Sequence, residues 1–365
     1  MNSPRSVSSK AVRCAAFAAT VALLSFGCSN SETTESSFTT TPSRETSSTS
    51  PNTAPTCSDG NPYVCLVSKA REELTSNGLV AADGLLAEWF TTHTRDAVTW
   101  CHGVAHDIGS QFTADGGEPE KIFEVPYSCG GGLLHGGFSS WAAKGGDIER
   151  LLAICARVLN KEAVLLWDCE HGVGHAAGAG AVSTSDAFLW CDANLPKDAC
   201  YSGAASAIAG RMTDGEDHHV EAGSLIADPR WCSGLSQEAA RTCWERTGIL
   251  SQKNPTFSCK DASPWGADCA YGVGRAQGIS LGAGLTWSPE WVDDTRAACA
   301  NLILASDCAR GVAYETVLHG YASGMPSVCP LMSDWVTECR KEELIRRAFE
   351  TPVAVTWELA NDKTL

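Results

Sequence analysis

The segment Cys169-Glu170-His171-Gly172-Val173-Gly174-His175 sets two histidines four residues apart, beside a cysteine and two glycines. Four residues is just over one helical turn, so both imidazoles fall on one helix face and can hold a transition metal through neutral ring nitrogens. His102 and His106 repeat the spacing, and Cys129-Gly130-Gly131-Gly132-Leu133-Leu134-His135 carries a third copy with one histidine. No glutamate follows the first histidine of either pair, which excludes the HExxH metalloprotease pattern.

The copies continue along the chain without histidine. Aligned on Gly103, Gly132, Gly172, Gly203, Gly272 and Gly311, the third residue after the glycine is His106, His135, His175, Ser206, Arg275 and Tyr314. The residue before it is His102, Gly131, His171, Ser202, Tyr271 and Arg310. The frame holds while two positions change among polar types, as expected where those positions face a shared lumen or groove. Glycine costs about 1 kcal/mol in a helix interior relative to alanine, so its reuse points to close helix approach.

Five of the nine histidines therefore sit in three copies of one motif. The expected metal set is His102, His106, His135, His171 and His175. His106, His135 and His175 occupy one equivalent position and are the first choice for convergence. An open three-histidine site suits zinc, copper or iron, and Asp107 and Glu170 stand where carboxylates could orient imidazoles. The competing readings are a hydrogen-bonded polar core and acid–base chemistry without metal.

Other candidates are weaker. Asp214-Gly215-Glu216-Asp217-His218-His219 reads as a solvated loop or a cation site. Arg275 and Tyr314 suit either an anionic or sugar ligand or pairing with neighbouring acids. Twelve tryptophans would suit a glycan cleft, but glycoside hydrolysis needs two placed carboxylates, for which Asp107, Glu170 and Glu315 are the candidates. The sequence has no Walker loop, no dinucleotide fingerprint, no CxxCH haem motif and no convincing serine-nucleophile elbow.

The elements that must position these residues are marked by cysteines. Beyond Cys14 and Cys28, sixteen remain, an even number. Downstream of an export signal they read as eight disulfides. Short gaps pair Cys155 with Cys169, Cys191 with Cys200, Cys232 with Cys243, Cys259 with Cys269, Cys299 with Cys308, and Cys329 with Cys339. The remaining pairs would be Cys57 with Cys65 and Cys101 with Cys129, but the 28-residue spacing of the second leaves the pairing of these four open. Ser128, Asp168, Thr242, Asp268 and Asp307 precede second cysteines, with Asp198 one residue further back, so each is expected to N-cap a helix starting there. Helical patterns cover Leu79–Thr91, Asp147–Leu159, Trp291–Leu302 and Glu342–Phe349. Second cysteines recur every 26 to 43 residues, the range of helical repeats. The expected fold is all-α: disulfide-clamped helical-hairpin repeats arranged as an α/α toroid, slightly favoured, or an α-solenoid.

Charge and the chain start bound location. The formal net charge is −16, and residues 1–27 contribute only the basic Arg5, Lys10 and Arg13. Such acidity argues against a nucleic-acid partner. An apolar run from Ala15 to Phe26 ends in Gly27-Cys28-Ser29 and is too short for a permanent span. This leader resembles a bacterial lipoprotein signal, although Ser25 and Phe26 depart from the usual pattern. The resemblance implies lipidation at Cys28, palmitate included, and anchoring to the bacterial cell membrane outside the cytoplasm. A plain secretory signal is the alternative. Residues 29–56 are more than half Ser and Thr, with Pro42, Pro51 and Pro55, and read as a disordered tether. Residues 57–365 form the cysteine-rich helical-repeat domain.

Two further resemblances concern that domain. Trp100-Cys101-His102-Gly103, with Gly-Val-Ala-His and Gly-Val-Gly-His, looks like motifs of lanthionine-cyclase-type α/α toroids, whose zinc is held by two cysteines and an adjacent histidine. Only Cys101 and His102 could map to those ligands, so the likeness supports the toroid rather than the activity. The clamped hairpins also look like secreted Sel1-type repeats, which lack the Gly-x-x-His positions. The expected function is an exported, lipid-anchored repeat protein with a His-lined metal site, for metal capture or metal-dependent chemistry. The alternatives are a binding or scaffold module for a protein or small-molecule ligand, with structural histidines, and a toroidal glycan-active enzyme.

Overall fold

In a computed structural model, residues 62–158, 163–212, 231–251, 262–281, 304–320, 329–331 and 335–347 are described, with Cys57, Cys259, Cys299 and residues 293 and 295–297. The leader, Cys28, the tether, the Asp214–His219 segment and most of Trp291–Leu302 lie outside them.

The described residues contain no strand. The helices are α1 Pro62–Asn77, α2 Leu79–Thr92, α3 Thr94–Ala114, α4 Gly132–Ala143, α5 Ile148–Ala156 and α6 Ala163–Gly180. They continue as α7 Thr184–Asn194, α8 Asp198–Met212, α9 Gln237–Leu250, α10 Gly266–Leu281, α11 Ala305–Gly320 and α12 Val336–Arg347. Short 3-10 turns lie at Pro119–Glu124, Cys129–Gly131 and Cys329–Leu331. No described helix is long and apolar enough to cross a membrane.

One series of helices packs in chain order, α3 on α4, then α6, α8, α9, α10, α11 and α12, and α11 also touches α3. Helices α5 and α7 lie against α6, and α1 and α2 lie against α3. α6 is buried on every side from Asp168 to Gly178, the environment of an all-round buried helix rather than an amphipathic one. Eight disulfides bind the layers, with Cα–Cα separations between 5.2 and 5.8 Å. The six short-gap pairs are as the spacing predicts. The four open cysteines pair as Cys57–Cys65 and Cys101–Cys129. Eight bridges place the domain in an oxidising compartment.

Of the repeated glycines, Gly132, Gly203, Gly272 and Gly311 are points of backbone contact between neighbouring helices, while Gly172 makes room for the Leu134 side chain. A Cβ on Gly272 would stand 1.8 Å from the Glu245 carbonyl, and one on Gly248 would stand 2.1 Å from the Cys269 carbonyl. The same reciprocity joins α10 to α11 through Gly274 and Gly311, and α6 to α8 through Gly174 and Gly203. Gly272→Ala is therefore expected to lower stability by about 2–3 kcal/mol through overpacking, read as a fall in the urea midpoint. Gly84→Ala on α2, where a Cβ meets nothing within 4 Å, is expected to raise it by up to about 1 kcal/mol from helix propensity alone.

The capping expectation is corrected. Asp168 and Thr242 lie well inside α6 and α9, because those helices begin upstream of Cys169 and Cys243. Ser128 makes no side-chain cap bond. Asp198, Asp268 and Asp307 lie in first helical turns, where a carboxylate favours the positive dipole end. The observed caps are Asp147, Ser183 in a capping box with Asp186, and Ser236.

On α2, burial pushes the Asp83 carboxyl up from 3.8 to about 6. The folded state then holds this proton more tightly than the unfolded chain, so stability falls as pH rises from about 4 to about 6 and stays lower above that. Asp83→Asn is expected to flatten this slope and to be more stable than the natural chain at pH 7 by about 1 kcal/mol, the full linkage being discounted for partial solvent access. Urea melts at pH 4, 5, 6 and 7 measure it.

Candidate metal centre

All five motif histidines gather where α3, α4 and α6 meet. His106, His135, His171 and His175 are buried, whereas His102 is exposed. His135, His171 and His175 present ligand nitrogens that all lie within 4.8 Å of one another, a set that could hold a metal ion. Their ring centroids form a near-equilateral triangle: 4.8 Å for His135–His171, 5.0 Å for His135–His175 and 4.8 Å for His171–His175. Two imidazoles bound to one ion through nitrogens at about 2.0–2.1 Å have ring centres about 5.2 Å apart at a tetrahedral angle and about 6.4 Å apart in a straight line. The triangle fits the first value. His171 Nε2 and His175 Nε2 are 3.1 Å apart, close to the separation of about 3.3–3.4 Å that two tetrahedral ligands adopt. The rings of His135 and His175 are nearly parallel, at 9°, so one of them must turn for both to aim in-plane at a shared ion.

The expected first-choice triad is redistributed. His171 completes the close set with His135 and His175, while His106 reaches His175 at 5.7 Å between centroids. His102 adjoins His135 at 5.3 Å and His106 at 6.2 Å. The reason lies in helix order. α4 packs against both α3 and α6, so equivalent positions on three helices need not meet at one point, whereas a pair one turn apart on α6 brings two nitrogens together.

Orientation comes from backbone carbonyls. His102 Nδ1 donates to the Cys129 carbonyl at 3.0 Å, and His135 Nε2 donates to the Asp168 carbonyl at 3.3 Å. Such bonds fix the ring and the tautomer of metal-ligating histidines. Trp167 stacks on His171 with centroids 4.8 Å apart. The carboxylates proposed for orientation are engaged by other groups: Asp107 accepts from Tyr63 at 3.0 Å, and Glu170 pairs with Lys197.

Two neighbours of the cluster were not foreseen in the sequence. Tyr127 donates to the buried Asp168 carboxylate. Burial pushes Asp168 up to about 7, partly offset by that hydrogen bond. Burial, and then the nearby Asp168 charge, raise Tyr127 well above its usual value. Nothing in the spacing of Tyr127 marks it. Asp168 was visible only as a capping candidate.

The non-histidine copies of the motif build a different cluster. Arg275 on α10 binds Glu315 on α11 at 2.6 Å and also pairs with Glu245 on α9. Its guanidinium lies 4.3 Å from the Tyr314 ring centre. Burial opposes the Arg275 charge, but the pull of Glu315 and then of Tyr314 and Glu245 outweighs it and raises the pKa. Glu342 on α12 accepts from Tyr271 at 3.0 Å and from Arg310 at 3.1 Å. Of the two readings open for Arg275 and Tyr314, pairing with neighbouring acids matches this geometry. Comparison of the chain with protein-family models, with curated proteins and with solved structures finds no match.

Proposed function

We propose that this protein is an exported, lipid-anchored metal-binding protein that holds one transition-metal ion through His135, His171 and His175. The observation that carries the reading is the triangle of three buried imidazoles with ring centres 4.8 to 5.0 Å apart. Three neutral imidazole nitrogens suit zinc, and after it copper or iron, for capture or as the centre of metal-dependent chemistry. Cys28 would carry the lipid and residues 29–56 would hold the domain away from the membrane, a reading supported by the leader pattern and by the eight disulfides. A closed α/α toroid is the arrangement we favour for the series of helices that packs in chain order. The contact of α11 with α3 supports it.

The competing reading is a structural polar cluster in a binding or scaffold module, with the 3.1 Å His171–His175 contact as an N–H···N hydrogen bond. Metal analysis of the mature, oxidised protein after incubation with zinc and desalting separates the two. One equivalent of retained ion supports the metal reading, and none removes it.

A further inference from the structure

We infer that His102 and His106 form an outer docking position through which the metal ion reaches the buried imidazoles of His135, His171 and His175, a step that presupposes the three-histidine site. His102 is the exposed ring of the five; His171 is 9% exposed, and His106, His135 and His175 are at most 2% exposed. A divalent ion stripped of ligands cannot cross such an interior without a large desolvation cost, so it must pass from one set of nitrogens to the next. The rings permit that. His102–His106 at 6.2 Å, His102–His135 at 5.3 Å and His106–His175 at 5.7 Å all fall within the reach of about 6.4 Å for two imidazoles sharing one ion.

The turn Cys129–Gly131 supplies a second, independent observation. Its three residues have φ of 51°, 57° and 73°, a left-handed run that side chains other than glycine rarely adopt. It touches an outer and an inner imidazole at once. A Cβ on Gly130 would lie 3.5 Å from His102 Nδ1, and one on Gly131 would lie 3.0 Å from His135 Nε2. A side chain would crowd the inner ring at Gly131, whereas at Gly130 it would meet His102 at ordinary contact distance. The turn also supplies the Cys129 carbonyl that accepts a hydrogen bond from His102 Nδ1, which makes Nε2 the basic nitrogen of that tautomer. Two imidazoles alone leave most of the ion's waters in place, so this outer position binds weakly and releases readily, as a transit point must.

A transit residue lowers the barrier in both directions and leaves the equilibrium unchanged. The test mixes the chelator-stripped, oxidised mature protein with Co(II) in a stopped-flow instrument and follows the visible ligand-field bands, with Kd measured by competition against Zn(II). In His102→Ala, association and dissociation rate constants are both expected to fall about tenfold, with Kd within a factor of two. His102→Gln keeps an amide donor for the Cys129 carbonyl but no imidazole nitrogen, and is expected to be as slow as His102→Ala. Natural rates in either variant would overturn the inference. So would a weakened Kd with an unchanged association rate, which would make His102 a resident ligand, and so would recovery of the rates in the Gln variant, which would make its role structural. If the natural protein takes up no Co(II) at all, the three-histidine site itself fails, an outcome distinct from all of these.

Discussion

His171→Ala is expected to weaken zinc binding by more than about 100-fold, beyond the 10–100-fold typical of losing an outer partner of a ligand. The natural protein, at free zinc about one hundred times its Kd, is expected to gain about 2.7 kcal/mol of stability, seen as a zinc-dependent rise in Tm. The variant should show no such rise at the same zinc concentration. His171 is the informative position because one of its nitrogens faces His175 Nε2 at 3.1 Å and its ring completes two sides of the triangle. If the cluster were only structural, the same substitution would remove a buried hydrogen bond worth about 1 kcal/mol and would leave zinc without effect on either protein. Calorimetric titration and thermal melts of both proteins, with disulfides intact, decide between these outcomes. Zinc-dependent stabilisation that survives in His171→Ala would place the ion elsewhere.

The second large effect is expected at Arg275→Met. The Arg275 side chain is 17% exposed and that of its partner Glu315 only 2%. Removing the guanidinium takes from the buried Glu315 carboxylate the charge it meets at 2.6 Å, and breaking a buried pair in this way costs about 3–5 kcal/mol. Glu245 loses the same partner, and Tyr314 loses the cation over its ring. Urea denaturation should show the loss directly. Arg275→Met/Glu315→Met should recover much of it, because a well-packed apolar pair of similar volume is often as stable as the ion pair it replaces. A cost below about 1 kcal/mol for the single variant would show a pair screened like a surface salt bridge. The Arg275 guanidinium links α9, α10 and α11, so its effect is on the fold, while that of His171 is on the ion.

The cysteine spacings specified local geometry, and local geometry was legible. A disulfide over about ten residues can only join neighbouring segments, so the six short-gap clamps followed from counting. The 28-residue Cys101–Cys129 link did not, since a longer loop leaves several closures open. The glycines were legible for a similar reason. Each is costly in a helix unless another backbone must come close, and Gly272 and Gly311 do meet the carbonyls of adjacent helices. Helix starts were misjudged at Asp168 and Thr242, because a capping residue type does not act as a cap when tertiary burial extends the helix upstream. Asp168 instead accepts a hydrogen bond from Tyr127, forty-one residues away in sequence.

The sequence by itself determined which residue types occupy the two variable positions of each repeat, and hence that five histidines belong to one region and Arg275, Tyr271, Tyr314 and Arg310 to another. Tertiary structure alone decided which of them meet. Equivalence along the chain favoured His106 with His135 and His175. The packing of α4 between α3 and α6 instead brings His171 into the close triangle and leaves His102 at the exposed end. Repeat position sets where a side chain sits on its own helix. The distance between two nitrogens depends on how neighbouring helices are offset and rotated, which no local pattern encodes.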